Sequence, residues 1–458
     1  MKLVHVVLCV TLGVTATLTT GCNREQKQSG ATPSPKSIEV AATPSVLATI
    51  AEKKTQTEPP TSASDHGGAS GIVFSELGGG VAYLTENNGT FQVVHNGRAG
   101  KSYQEIDTNF VLSRDGRRVA YAAMIDGKWR MVVDGKEGRV FDTLGTPRIS
   151  PDGKHVLYDA QQGDRWYIVV DDIVKGGCPS YFDKNFSSDS KHVVYIENIA
   201  GDDSLHRVVI SDLKLNKLFE RELRTENTVY SEDKSRMAVV AGVRDKKQLV
   251  VMSLDNPGTV NEGAFFDVIA FPAFGMDGKS VAYIAEKEGK RFLVLNGNEE
   301  RLPDGEVGEP PAIRPDLKGA GVIMRTANGF YFHQTGGVDK TTAQRYEEAA
   351  FPSFNKSGDS YVYAARNGSR MFYVVNGKES PAFDKVLTPM FTPDGRKIVG
   401  RVRKDGKRFL VVIDENGQVV RQHPDHEMVF NPVFTADGKS VAYGVKDGVQ
   451  LAWKVEKL

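Results

Sequence analysis

The feature that most constrains the fold of this chain is a short turn, Ser-Pro-Asp-Gly-Lys at residues 150–154, which recurs along most of the sequence. It is typical of a type I turn, because proline presets φ at the second position and Gly153 can adopt a positive φ. Residues 155–158 are β-branched or aromatic and predict a strand after the turn, and residues 146–149 predict a shorter one before it. The unit is therefore strand, tight turn, strand.

The turn repeats at nearly regular intervals. Neighbouring copies are 37 residues apart at the shortest, between Asp115 and Asp152, and 44 at the longest, between Asp189 and Asp233. Ser357 and Leu77 take the place of the aspartate in two further copies, so eight aspartates and these two residues give about ten repeats. The aspartates are Asp115, Asp152, Asp189, Asp233, Asp277, Asp316, Asp394 and Asp437.

The strands after the turn also recur. An Ala-Tyr-like strand follows each turn, and in several repeats a third strand ends at an Asp-Gly or Asn-Gly pair that favours a two-residue hairpin and a fourth strand ends in Phe-Asp. Four short antiparallel strands per repeat predict an all-β chain, a β-propeller of about ten four-stranded repeats. One large ring, two smaller rings or a smaller ring with degenerate units would fit. The last repeat lacks a fourth strand, and residues 40–47 or the Ile72 region are candidates to complete it.

These repeats resemble the TolB-type, WD-repeat-like β-propeller family, over residues 71–458. The resemblance implies that the strand before Pro-Asp-Gly lines the central channel. The resemblance is specific for the fold but says almost nothing about function, because proteins with one fold can have many different activities. Members of the TolB type carry an α/β domain before the propeller, whereas residues 22–70 here predict a flexible tether rich in Pro, Ser and Thr. The family's role in cell-envelope coupling is therefore not carried over.

Residues 1–21 resemble a bacterial lipoprotein signal, which would make Cys22 the lipidated N-terminus of the mature chain. The departure is Thr19, where the pattern prefers leucine. The alternative is an ordinary secretory signal cut nearby. A transmembrane anchor is disfavoured because polar residues shorten the apolar run below the roughly 20 residues that a span needs. We expect a bacterial cell-envelope protein, lipid-anchored on the periplasmic or outer-surface side of a membrane.

The net charge argues against a nucleic-acid partner, because the 58 basic residues are balanced by 58 acidic ones and a nucleic-acid binder should be basic overall. Many third strands nevertheless begin with a basic residue, and these residues would meet at one rim. They could form an anion-binding ring, or ion pairs with Asp142, Asp183 and Asp384 at the ends of the fourth strands; Arg130 would face Asp142, and Arg370 would face Asp384. The basic residues are Arg130, Arg165, Arg207, Arg291, Arg370 and Arg408.

Few residues suggest chemistry. Cys178 is the only cysteine after Cys22 and is expected to be a packing residue. The sequence contains no Gly-x-Ser-x-Gly motif, and it predicts no catalytic residues and no cofactor. His423, Asp425 and His426 are candidate metal ligands or a polar loop between blades. Arg148 and Arg314 are candidate ligand-binding residues at the channel mouth.

These features predict a membrane-tethered, non-enzymatic scaffold that binds an envelope protein or a cell-wall partner. The alternative is a propeller enzyme or ligand-binding protein that acts on a polysaccharide or small anion. Its site would lie at the channel mouth and use Arg148, Arg314 or the histidine cluster.

Overall fold

The computed structural model describes residues 40–41, 43–49, 71–336 and 344–458, and the regular structure of these residues is entirely β. Cys22 lies outside the described residues. No helix in these ranges is long and apolar enough to cross a membrane. The strands form ten blades, each an antiparallel meander that starts at an innermost first strand and in nine blades reaches a fourth, outermost strand; in blade 7 the described residues form three strands, the first of them in two pieces. The prediction of a β-propeller of about ten repeats is confirmed.

Strand β1 (Ser45–Thr49) comes first in the chain and belongs to the last blade. Blade 1 contains β2 (Ile72–Phe74), β3 (Val81–Asn87), β4 (Thr90–His95) and β5 (Arg98–Ala99). Blade 2 contains β6 (Glu105–Ile106), β7 (Val111–Leu112), β8 (Val119–Ile125), β9 (Lys128–Val133) and β10 (Lys136–Phe141). Blade 3 contains β11 (Thr143–Leu144), β12 (Arg148–Ile149), β13 (Val156–Gln162), β14 (Arg165–Val170) and β15 (Ile173–Cys178).

Blades 4 and 5 share the long strand β19 (Lys217–Tyr230), which is the fourth strand of one and the first of the other. Blade 4 also contains β16 (Tyr181–Phe186), β17 (His192–Ile199) and β18 (Asp202–Asp212). Blade 5 also contains β20 (Arg236–Val243), β21 (Lys246–Ser253) and β22 (Val260–Phe266). Blade 6 contains β23 (Val268–Phe274), β24 (Val281–Lys287), β25 (Lys290–Leu295) and β26 (Asn298–Arg301).

The remaining blades follow the same plan. Blade 7 contains β27 (Glu306–Val307), β28 (Ala312–Ile313), β29 (Ala320–Thr326) and β30 (Gly329–Gln334). Blade 8 contains β31 (Glu348–Phe354), β32 (Tyr361–Asn367), β33 (Arg370–Val375) and β34 (Lys378–Glu379). Blade 9 contains β35 (Lys385–Val386), β36 (Met390–Phe391), β37 (Ile398–Lys404), β38 (Lys407–Ile413) and β39 (Val419–Gln422). Blade 10 contains β40 (Met428–Val429), β41 (Val433–Phe434), β42 (Ser440–Asp447) and β43 (Gln450–Lys457).

The blades form a single closed circuit. Each pair of successive blades buries a shared apolar cluster, and this holds between blades 5 and 6, where Phe266 packs with Ile269 and Tyr283. Blade 10 packs on blade 1 in the same way, through Leu451 and Tyr83. Two separate rings in tandem would lack the first of these interfaces. The hydrophobic effect across all ten interfaces therefore favours one ring.

The ring is closed by β1, which pairs with β43 as the fourth strand of blade 10. Ala41 holds the entering chain, because its N–H donates to the Leu77 carbonyl in blade 1 at 2.6 Å and its carbonyl accepts from Trp453 Nε1 at 3.0 Å. Of the two predicted candidates for this strand, the segment around residues 40–47 is confirmed. The predicted tether at residues 22–70 therefore includes part of the propeller.

The recurring turn is held by its own side chains. Ser150 Oγ donates to Asp152 Oδ1 at 2.6 Å, and the same oxygen accepts the Lys154 N–H at 3.1 Å. Gly153 has a φ of 75°, and its N–H donates to the Ser150 carbonyl at 2.8 Å. The turn prediction is confirmed, and the repeated aspartates are structural because their carboxylates are used inside the turn.

The meander gives the ring two faces. The turn face carries the turns from first to second and from third to fourth strands. The connection face carries the turns from second to third strands and the links between blades. The chain enters β1 at the turn face, because Ser45 pairs with Trp453 whereas Thr49 pairs with Gln450, beside the turn between β42 and β43.

Candidate functional site

The structure separates the three candidate metal ligands. His426 Nδ1 lies 2.6 Å from Asp447 Oδ2, whereas His423 Nδ1 lies 3.9 Å from Glu456 Oε2. Asp425 forms an ion pair with Lys407 at 2.7 Å. In the described ranges, no group of three or more His, Cys, Asp or Glu side chains is placed to hold a metal ion. The residues around His423 therefore form a linker between blades 9 and 10 whose polar groups contact separate protein partners.

Cys178 occupies a packing position. Its Sγ donates to the Ser180 carbonyl at 3.2 Å, and burial raises the pKa of the thiol to about 11. A thiol with so high a pKa is protonated at neutral pH and is a poor nucleophile.

Arg314 is part of a turn. It stands in blade 7 where Ser150 stands in blade 3, and its guanidinium pairs with Asp316 at 2.9 Å. Its side chain is 14% exposed. Arg314 thus replaces the hydroxyl that secures the turn aspartate in other blades. The structure gives it a local role and leaves ligand binding a prediction.

Arg148 lies on the innermost strand of blade 3 and is exposed, as a channel residue should be. Its charge acts on the side chain of Lys234 from blade 5, whose ammonium group lies 5.4 Å from the ring centroid of Tyr230. Burial lowers the pKa of Lys234 and Arg148 lowers it further, while Asp183 of blade 4 and Glu76 of blade 1 oppose the shift. Charges of both signs therefore meet at this mouth, and they compensate one another.

The predicted rim pairs are partly wrong. Arg130 faces Val140 instead of Asp142, because the tight turn at Asp134 and Gly135 pairs Lys136 with Val133 and the bulge after Glu137 adds only one residue to β10. Its guanidinium donates to the Gly138 carbonyl at 3.1 Å, and Lys128 pairs with Asp142 at 2.5 Å. A bridge between Met371 and Phe383 does keep Arg370 level with Asp384, as predicted.

The aspartates of the Phe-Asp pairs connect neighbouring blades. Asp142 accepts the Gly163 N–H of blade 3 at 2.7 Å, and Asp384 accepts the Asp405 N–H of blade 9 at 2.7 Å. Asp183 is an exception, since it lies on the innermost strand β16 and accepts from Thr228 Oγ1 at 3.4 Å. The prediction that Asp183 ends a fourth strand is wrong, because the pair Phe182-Asp183 lies in the first strand of blade 4.

A group of exposed apolar side chains marks the connection face of blades 4 to 6. We call Phe182, Val243, Phe265 and Val268 the apolar rim. Phe265 is 52% exposed and Val268 is 42% exposed. Each lies at the end of a strand that meets this face. Exposed apolar patches on soluble domains often mark interaction sites.

Sequence reasoning missed the apolar rim, although a signal was present. Phe265 and Phe266 are consecutive in β22, and successive strand residues point to opposite sides of a sheet. Phe266 is buried against blade 6, so Phe265 has to face away. Tyr181 and Phe182 show the same pattern in blade 4.

No protein-family model and no curated protein matches this sequence. Solved structures with a similar chain path include a eukaryotic initiation factor, 13% identical with a TM-score of 0.45, the match covering 74% of this chain and 96% of that one. The Dos1 propeller is 12% identical with a TM-score of 0.38 and coverages of 76% and 90%. TolB from Acinetobacter baumannii is 16% identical with a TM-score of 0.29 and coverages of 61% and 80%. These likenesses are too distant to inform function.

Proposed function

We propose that this protein is a cell-envelope scaffold that binds a partner protein through the apolar rim while a lipid on Cys22 tethers it to a membrane. The observation that carries the proposal is the position of four exposed apolar side chains at strand ends on one face of three successive blades. A closed ring supports such a surface well, because the strands that present it are fixed by apolar packing on both sides.

The energetics favour a protein partner for this surface. Burying an apolar side chain of this size stabilises a complex by roughly 1.5–3 kcal/mol when the side chain is fully exposed beforehand. Phe265 and Val268 are about half-exposed, so each would contribute less than this. Aromatic residues such as Phe182 and Phe265 are enriched at the centres of interfaces, where a few side chains supply most of the affinity.

The entry point of the chain supports the same arrangement. Ala41 contacts blade 1 at the turn face, so the N-terminal segment joins the ring on the side opposite the apolar rim. A tether from Cys22 would then begin at the turn face. The connection face would point away from the anchoring membrane and be accessible to a partner.

The partner surface can be tested with paired charge substitutions. Envelope extracts would be passed over the mature chain, and partners would be identified by cross-linking from a photoreactive residue at Phe265. Phe265→Glu with Val268→Glu should abolish capture of the cross-linked partner. The matched control is Met276→Glu with Leu317→Glu, which charges two exposed apolar residues of the turn face and should leave capture intact. Equal capture by all variants would refute the apolar rim as the binding surface.

The tether is tested separately. Cells would be labelled with a radioactive fatty acid and fractionated. Wild-type protein should carry the label and sediment with membranes, whereas Cys22→Ser should lose both properties. An unlabelled wild-type protein would overturn the lipid anchor and leave the partner surface to be judged on its own test.

A further inference from the structure

Blade 9 carries a row of basic side chains at its connection-face edge. Lys385 on the first strand pairs directly with Arg403 on the second, and Arg403 pairs with Arg408 on the third. Arg408 is bridged in turn to His426. We call Lys385, Arg403, Arg408 and His426 the basic row.

The basic row faces blade 10. Residues directly opposite each other on antiparallel strands project to the same side of the sheet. The neighbouring residues Val402 and Phe409 pack toward blade 8, so the alternate positions Arg403 and Arg408 project toward blade 10. The contact of His426 with Asp447 of blade 10 agrees with this direction.

Other blades balance the charges at the same level. Arg366 is opposite Glu348 in blade 8, Arg325 is opposite Glu306 in blade 7, and Arg291 is opposite Glu286 in blade 6. Like charges placed directly opposite destabilise a sheet. Blade 9 is therefore unusual in aligning three permanent cations across its first three strands.

The surrounding hairpin adds to the positive charge. Residues 401–408 contain five basic side chains and one acidic side chain. Lys407 is paired with Asp425, and Lys385, Arg401 and Arg403 make further contacts within the protein. The inference therefore rests on the concentration and common direction of these cations, and not on any of them being unpaired.

A cleft of about 30 Å³ lies where the basic row meets blade 10. Its walls include Lys385, Arg401, Arg403 and Arg408 of blade 9 and Met428 and Val429 of blade 10. Two of the guanidinium groups are held by backbone carbonyls, since Arg401 donates to Val429 at 3.0 Å and Arg408 donates to Glu427 at 2.9 Å. Held guanidinium groups lose less rotational freedom when an anion binds.

The second ring nitrogen of His426 is also notable. His426 is 6% exposed at its side chain, and Nδ1 contacts Asp447. Its Nε2 atom is buried and has no hydrogen-bond partner. His426 is thus held against blade 10 at the fourth-strand end of the basic row.

We propose that the cleft between blades 9 and 10 binds a phosphate group, with Arg403 and Arg408 as its principal ligands and Lys385 as a third cation. Guanidinium groups present paired N–H donors that match phosphate oxygens, and such charge-assisted bonds are stronger than neutral ones. The site is on the connection face but three blades from the apolar rim. It goes beyond the proposed scaffold function, and its failure would leave that function untouched.

The test is a calorimetric titration of the mature chain with pyrophosphate and with inorganic phosphate at low ionic strength. We expect one saturable site, and at least a tenfold loss of affinity in Arg403→Gln with Arg408→Gln. The matched control is Arg325→Gln with Arg366→Gln, which removes two cations from the same level of blades 7 and 8 and should change the affinity less than twofold. Equal losses in both double variants, or no binding by the wild type, would overturn the proposal.

Two further measurements keep the result interpretable. Arg403→Lys with Arg408→Lys preserves the charge and should retain part of the affinity, which guards against a fold defect in the glutamine variant. Sedimentation with phosphatidylglycerol or phosphatidylcholine vesicles distinguishes the source of the phosphate. Selective binding to phosphatidylglycerol that depends on Arg403 and Arg408 would support the site with a lipid headgroup as ligand. Binding of free phosphate without vesicle binding would support it with a soluble ligand.

Discussion

The ammonium group of Lys184 lies 2.5 Å from a carboxylate oxygen of Asp159, and this ion pair crosses the interface between blades 3 and 4. Both side chains are 13% exposed. Ile284 holds the place of Asp159 in blade 6 and is buried, so the pair replaces apolar packing. Gly145 makes room for it, because a Cβ atom there would lie 2.0 Å from Asp159 Oδ1.

Breaking this pair should destabilise the protein more than replacing it. Asp159→Ala would leave the Lys184 ammonium largely buried without its anion, and we expect a loss of about 3 kcal/mol in the free energy of unfolding. Asp159→Leu with Lys184→Met should recover most of that loss, because apolar groups of similar volume suit the site. Urea denaturation of the three proteins measures both values. A double variant as unstable as Asp159→Ala would contradict this account.

The repeated turn allowed the fold to be predicted, whereas strand register was not predictable from it and the closing strand could be narrowed only to two candidate segments. The turn works locally, since Ser150 and Asp152 form their bonds within a few residues. The residue opposite Arg130 depends on a bulge in β10, and no local sequence pattern predicts that bulge. Closure by β1 depends on a contact between Ala41 and Trp453, which are separated by 412 positions in the chain.

Removal of β1 should open the ring. A chain beginning at residue 71 lacks the strand that covers β43, so it exposes Trp453, which is 1% exposed in the intact ring, and leaves a free sheet edge. We expect a lower midpoint of chemical denaturation and a tendency to associate, both relative to a chain that begins at residue 38. Denaturation curves of the two proteins measure the midpoint, and light scattering measures the association. Identical curves would show that β1 is dispensable for stability.

Three turns place a larger residue where other blades use glycine. Ser190, Lys234 and Leu317 have φ values of 60°, 62° and 58°. This left-handed conformation costs an L-residue roughly 1–2 kcal/mol, and glycine avoids that cost while losing more freedom on folding. Leu317→Gly should therefore raise the free energy of unfolding by up to about 1 kcal/mol. Gly153→Ala in the equivalent turn of blade 3 should lower it by a similar amount, and thermal denaturation tests both.

The candidate sites could be predicted even less well than the fold. Arg314 secures Asp316 because this turn lacks the usual hydroxyl, a local role that its sequence did not predict, and ligand binding by Arg314 stays a prediction. Of the basic row, the sequence placed only Arg408 at a rim, because Lys385 and Arg403 are brought level with it by the pairing of three strands. The spacing of a motif is enough to predict where a turn lies. The function of a surface depends on which strand ends lie next to each other there, and motif spacing does not predict that.

Glu309 should make stability depend on pH. Its Oε2 accepts the Phe351 N–H of blade 8 at 2.9 Å, and its Oε1 is buried without a hydrogen-bond partner. Burial raises the pKa of this carboxyl from 4.5 to about 7, although the bond from Phe351 opposes the shift. Phe351 lies in a bulge of β31 and has a φ of 58°, a conformation that is rare for an aromatic residue.

The sign of the effect follows from the raised pKa. Below pH 4.5 the carboxyl is neutral in both the folded and the unfolded chain, and its contribution to stability is fully present. That contribution is lost as the pH rises through 7, because the unfolded chain ionises more readily, and the loss amounts to about 3 kcal/mol. Glu309→Gln keeps an oxygen for Phe351 and removes the charge. The variant should therefore gain stability relative to the wild type between pH 5 and pH 8, as measured by urea denaturation. A difference between the two proteins that stays constant over this range would show that Glu309 ionises as freely in the ring as in water.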